Sequence, residues 1–137
     1  MCIRDSACAV PFGLVATGSD VAEATYRAVV DELGPDGVYR YGADTYFGGG
    51  RWVLLAGLIG WYEAMTGRTH AALRRLTWML EQADANGLLP EQVSDDALAP
   101  SFIPVWEQRW GPIAQPLLWS HAMYITLADA LGLLDGS

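Results

Sequence analysis

A chain of 137 residues, 52% hydrophobic and 18% charged, has the composition of a globular protein and at most one domain's length. Its formal charge is −8, and its eight Lys and Arg are scattered rather than clustered. That excludes the basic patch that nucleic acid or an anionic membrane surface requires; a neutral ligand such as a sugar fits the balance, as would many others.

No apolar run reaches the ~20 residues of a membrane span. The longest, Trp52 to Trp61, reads as a buried helix. No stretch has the basic start and apolar centre of a secretory signal, so the cytoplasm is favoured, with the true N-terminus expected to be missing. The two cysteines, Cys2 and Cys8, have neither the number nor the spacing of a zinc site. No metal and no cofactor are expected. Residues 1–8 read as a non-native or disordered lead, and residues 9–137 as the domain.

Helix one is predicted over residues 20–33. Asp20 and Glu23 resemble a capping box, Val21, Ala24, Ala28, Val29 and Leu33 recur at helical spacing, and Gly34-Pro35 stops it. Residues 34–50 read as a loop. Its Gly48-Gly49-Gly50 run permits unusual backbone angles or the close approach of a ligand. Helix two is predicted over 51–66, and helix three over 69–85 with Thr69 as its cap. The turn between them is short enough to force an antiparallel hairpin. Residues 88–115 read as a long polar and aromatic loop of the kind that carries function. Helix four is predicted over 116–131. No strand-like alternation of useful length occurs, so the fold class is all-α. Helix two is apolar nearly all round and expects neighbours on both sides.

Three segments carry candidate chemistry. In Arg40-Tyr41-Gly42-Ala43-Asp44-Thr45-Tyr46, a guanidinium and a carboxylate among aromatic rings suit a hydroxyl-rich ligand. The same spacing also describes a surface ion pair in a tight loop. In Leu88-Leu89-Pro90-Glu91-Gln92, Glu91 follows an apolar stretch. Partial desolvation there would raise its pKa; an ordinary exposed Glu is the plainer reading. In Pro116-Leu117-Leu118-Trp119-Ser120-His121-Ala122, the plainer reading of Trp119 and His121 is a core indole and a hydrogen-bonded imidazole, and for His121 it is the preferred one. His70 reads as exposed, and Asp95, Asp96, Glu107 and Asp129 as solvated charges.

In order and content these segments together resemble glycoside hydrolase family 15, the glucoamylase and glucodextranase type. The resemblance covers about Ala9 to Leu134 and implies the C-terminal part of a catalytic domain. The implied fold is a partial (α/α)6 toroid, about two of its six helical hairpins. The implied activity is hydrolysis of terminal α-glucosidic bonds with inversion, on an α-glucan or α-glucoside oligosaccharide. By the same resemblance Glu91 is the general base, and Arg40, Tyr41, Asp44, Trp52 and Trp119 bind substrate. Position 51 is Arg where the family often has Pro. Nothing upstream of Arg40 matches the family's general acid, so this stretch alone is expected to be inactive. A trehalase of the same family is the first alternative. A non-catalytic helical module like the regulatory subunits of phosphorylase kinase is the second, and a self-contained four-helix domain the third.

Overall fold

The computed structural model describes residues 10–134. The lead peptide, Cys2 and Cys8 lie outside the described residues. Five helices dominate: α1 Asp20–Leu33, α2 Val53–Met65, α3 Thr69–Glu81, α4 Ile103–Trp110 and α5 Leu118–Ala130. Three two-residue strands connect them: β1 Val38–Tyr39, β2 Arg51–Trp52 and β3 Gln92–Val93. Tyr46–Gly48 and Pro100–Phe102 form single 3-10 turns. The fold class is all-α, as the sequence predicts.

The core is built on α2. Every residue from Val53 to Gly60 is buried, because α3 packs on one side of the helix and α5 on another. Each fully buried aliphatic side chain of this run contributes about 1.5–3 kcal/mol, so α2 outweighs any amphipathic helix around it. Small residues let α5 close in: a Cβ at Gly60 would lie 2.6 Å from the Leu127 side chain. The short turn after Met65 returns the chain as α3, giving the expected hairpin. Beneath it, Arg75 Nε donates to both carboxylate oxygens of Glu63 at 3.0 and 2.9 Å, with both side chains 1% exposed. Tyr26 of α1 donates to Glu63, and Arg75 donates to the Asp36 carbonyl. One buried ion pair therefore ties α1, α2, α3 and the approach to β1 together.

Several local expectations are corrected. Helix two begins at Val53, because Arg51 and Trp52 pair as a strand. Helix three ends at Glu81, and its cap position is Arg68, without a side-chain cap bond; Thr69 is its first residue. Helix four is trimmed to Leu118–Ala130. Ser19, not Asp20, caps α1, its side chain accepting from the Ala22 amide at 3.4 Å. Glu23 turns instead to the Tyr62 hydroxyl and Arg68. The buried face of α1 is Ala22, Val29 and Leu33, with Val21, Ala24 and Ala28 exposed. The 88–115 loop contains β3 and α4, where Pro104 is tolerated in the first helical turn.

The strands form one antiparallel sheet in the order β1-β2-β3. Trp52 sits between Val38 and Gln92, and Arg51 between Tyr39 and Val93. The glycine run serves the chain's own backbone. Gly49 has φ +68°, and a Cβ there would lie 2.1 Å from the Asp44 carbonyl oxygen. A Cβ on Gly50 would lie 2.2 Å from the Val93 carbonyl oxygen, so only glycine lets β3 close against β2.

Gly50→Ala is expected to lower stability by about 1–3 kcal/mol through this overlap. Gly42→Ala, where nothing lies within 4 Å, is expected to be near neutral. Thermal unfolding of the two variants side by side checks this; equal midpoints would contradict it.

Candidate active site

Side chains alternate faces along a strand, and register partners share one. Trp52 therefore shares a face with Val38, and with Arg40 two residues further on. Arg51 and Tyr39 occupy the other face. There Arg51 pairs with Asp96 and lies 5.7 Å from the Trp78 ring, while the Tyr39 hydroxyl donates to the Asp96 carbonyl at 2.6 Å. Asp96, expected as a solvated loop charge, is exposed but paired.

On the Trp52 face, the Arg40 guanidinium meets the Asp44 carboxylate through two parallel bonds, Nε to Oδ2 at 2.9 Å and Nη2 to Oδ1 at 2.7 Å. The Tyr46 amide adds a third to Asp44 at 3.0 Å. Asp44 is 1% exposed, so this is not the surface ion pair that the spacing alone allows. A two-pronged geometry is what the planar guanidinium provides and a lysine does not. Three rings surround the same cation: Tyr41 at 5.3 Å, and Tyr46 and Trp52 each at 5.0 Å from its centre. Each such contact adds about 0.5–2 kcal/mol depending on burial, so Arg40 is held in place before any ligand arrives.

Glu91 directly precedes β3. Its amide donates to the Ala114 carbonyl at 2.9 Å, and its carbonyl accepts from the Val53 amide at 3.2 Å. Its side chain is half-buried, and burial pushes the carboxyl above its ordinary value; the neighbouring Tyr46 phenol and the charge of Arg40 pull the other way without cancelling the rise. Burial and the Glu91 charge in turn raise the Tyr46 pKa, which keeps the phenol protonated beside the carboxylate. Glu91, Tyr46, Arg40 and Asp44 thus form one electrostatic unit.

Of the sequence-predicted residues, Arg40, Tyr41, Asp44 and Trp52 are brought together directly, and Glu91 joins them through Tyr46 and Arg40. Trp119 is 65% exposed on the first turn of α5, with no ring contact to Tyr46 or Trp52 among the described residues. His121 is hydrogen-bonded, accepting at Nε2 from the Leu89 amide at 3.0 Å. Sequence reasoning missed Tyr46 and Gln92. Gln92 is 2% exposed and clamps the loop, its Oε1 accepting from Gly50 at 2.8 Å and its Nε2 donating to the Tyr46 carbonyl at 3.2 Å. The available signal was position alone, since both lie within two residues of a chosen carboxylate. A small open hollow of about 160 Å³ lies beside Thr45, lined by Phe102, Val105, Trp106 and Arg109. Among the described residues no group of three or more His, Cys, Asp or Glu side chains could hold a metal ion. No described helix is long and apolar enough to cross a membrane.

The chain is similar to glycoside hydrolases. A solved wild-type glycosidase superposes with a TM-score of 0.92 at 51% identity, over 98% of this chain and 36% of that one. A glutamate-to-alanine variant, solved in complex with glucose, gives a TM-score of 0.92 at 50% identity over the same shares. In particular, the isomaltose glucohydrolase of Kribbella flavida is 54% identical over 129 residues, 93% of this chain and 34% of that protein. This chain therefore spans about a third of the length of the curated relative it matches. No family model matches it.

Glu91→Gln is expected to raise the thermal midpoint at neutral pH, because it removes a charge that burial disfavours. The sign follows from the raised pKa. Glu91 costs the fold nothing while protonated; the cost grows as pH rises from the unfolded carboxyl value through the higher folded one. The gain should therefore fade as pH falls toward 4.5, the ordinary carboxyl value. Midpoints measured across that range check it, and a gain largest in acid would contradict it.

Proposed function

We propose that this chain is the part of an inverting α-glucosidase of glycoside hydrolase family 15 that supplies the general base, Glu91, and the glucose-holding pair, Arg40 and Asp44. The observation that carries this reading is Glu91 itself: a half-buried carboxyl, raised by burial, sharing its surroundings with an Arg–Asp pair ringed by aromatics. The similarity to glycosidases, one with glucose bound, supports it.

Each residue has a task that follows from its surroundings. A carboxylate offers about four acceptor positions. Arg40 and the Tyr46 amide take three of those on the buried Asp44, so Asp44 acts by aiming the more exposed Arg40 guanidinium at the sugar hydroxyls. Tyr41 presents an apolar face to the pyranose ring, and Trp52, buried beneath Arg40 and Tyr46, supports the site from below. Glu91 as the carboxylate takes a proton from the attacking water, and its raised pKa makes it a stronger acceptor than an ordinary carboxylate. The Tyr46 phenol orients that carboxylate. A second carboxyl group protonates the leaving oxygen from the far side of the sugar, about 6.5–9.5 Å away so that the water fits between. It is sought in the two-thirds of the relatives' length that this chain does not match. Isomaltose is the first substrate to try, given the relative's name.

The test uses a protein carrying this segment in its full length, or the Kribbella enzyme with this chain in place of its matching third. Glu91→Gln is expected to lower kcat on isomaltose by about 10²–10⁴-fold while glucose still binds. In the parent, activity should fall on the acid side as Glu91 protonates, with an inflection above 4.5. The first glucose released should be the β-anomer by NMR. Full turnover by the Gln variant, or initial release of the α-anomer, would overturn the reading.

A further inference from the structure

Between α3 and β3 the chain runs without helical support, yet its backbone is fully paired from the Leu88 carbonyl to the Glu91 carbonyl. Gln115 Nε2 donates to the Leu88 carbonyl at 2.8 Å. The Leu89 carbonyl accepts from the Leu117 amide, the Glu91 amide donates to Ala114, and the Glu91 carbonyl accepts from Val53. Two groups remain, the Leu89 amide and the Pro90 carbonyl. Adjacent side chains on the first turn of α5 satisfy both. His121 Nε2 accepts from the Leu89 amide at 3.0 Å, and Ser120 Oγ donates to the Pro90 carbonyl at 2.7 Å.

The second contact is distinctive. Proline has no N–H, so its carbonyl is the sole polar handle on Pro90, and Ser120 is 0% exposed where it grips it. The first contact fixes the imidazole: a nitrogen that accepts from an amide carries no proton, which places the ring proton on Nδ1. Both bonds fall within two residues of Glu91, and neither involves Arg40 or Asp44.

We infer that Ser120 and His121 are positioning residues for Glu91, a two-point latch from α5 that sets where its carboxylate stands relative to the sugar. The inference rests on the reading of Glu91 as the base. A base displaced by about 1 Å loses on the order of 100-fold in rate, whereas the pair that holds glucose is anchored elsewhere. The latch therefore acts on turnover and leaves binding alone.

Four variants in a full-length protein carrying this segment test it, with kcat and KM on isomaltose and product inhibition by glucose as readouts. His121→Leu and Ser120→Ala are each expected to lower kcat about 10–100-fold, with KM and glucose inhibition within about two-fold of the parent. His121→Gln, whose amide oxygen can accept from Leu89, is expected to recover most of the loss. The latch is overturned if His121→Leu keeps parental kcat, if His121→Gln is as impaired as His121→Leu, or if KM rises in step with falling kcat. Should His121→Leu fail to fold, Ser120→Ala is judged by the same kcat and KM criteria. Glu91→Gln separates the two levels. If it is inactive and the latch variants are normal, the latch alone fails; if it is fully active, the reading of Glu91 fails and the latch with it.

Discussion

The site depends on a two-residue strand. Arg51 and Trp52 are hydrogen-bonded on both sides, to β1 and to β3. That ladder brings the residue after β1, Arg40, and the residue before β3, Glu91, within electrostatic reach of each other, although they are 51 positions apart in the chain (91 − 40). Gly50 permits the approach and Gln92 locks it. Trp52 leads straight into α2, the most buried helix, so the ladder stands on the best-packed element of the protein. The opposite face of the same strand anchors a loop: Arg51 and Tyr39 hold Asp96, and the residues after it return to the glycine run through Leu98 and Ala99.

Two glutamates raised by burial show why one is the candidate base. Burial raises the carboxyl of both Glu63 and Glu91. Glu63 is 1% exposed and is occupied by Arg75 and Tyr26, so no water can reach it. Its role is architectural: ion pairs of this kind cost about 3–5 kcal/mol when one partner is removed. Glu91 is half-exposed, faces a neutral phenol and feels Arg40 without being paired to it as Asp44 is. A group raised by burial and still open to solvent is the one able to exchange a proton with a water molecule.

Much of this was readable in the residues. The α1 span, the α2–α3 hairpin and the all-round burial of α2 followed from spacing and stop signals, since Gly34 and Gly67 end helices wherever they fall after an apolar repeat. The strands were invisible because two residues carry no periodicity; they exist through tertiary pairing rather than local preference. Helix α4 was hidden by Pro104, which reads as loop and sits in its first turn. The face of α1 was misjudged because alanine counts equally on either side, whereas packing selects Ala22. Arg40 and Asp44 were visible, but whether they form a surface pair or a buried one depends on Tyr46 and Trp52 folding over them, which spacing does not encode.

The central claim is spatial: Glu91 and the Arg40–Asp44 pair address the same glucose. A crystal structure of a full-length protein carrying this segment, soaked with glucose, tests it directly. The account predicts sugar hydroxyls within about 3 Å of Arg40, the ring lying against Tyr41, and the Glu91 carboxylate turned toward the anomeric carbon with room for one water. Glucose bound away from Arg40, or Glu91 turned from the ring, would contradict it.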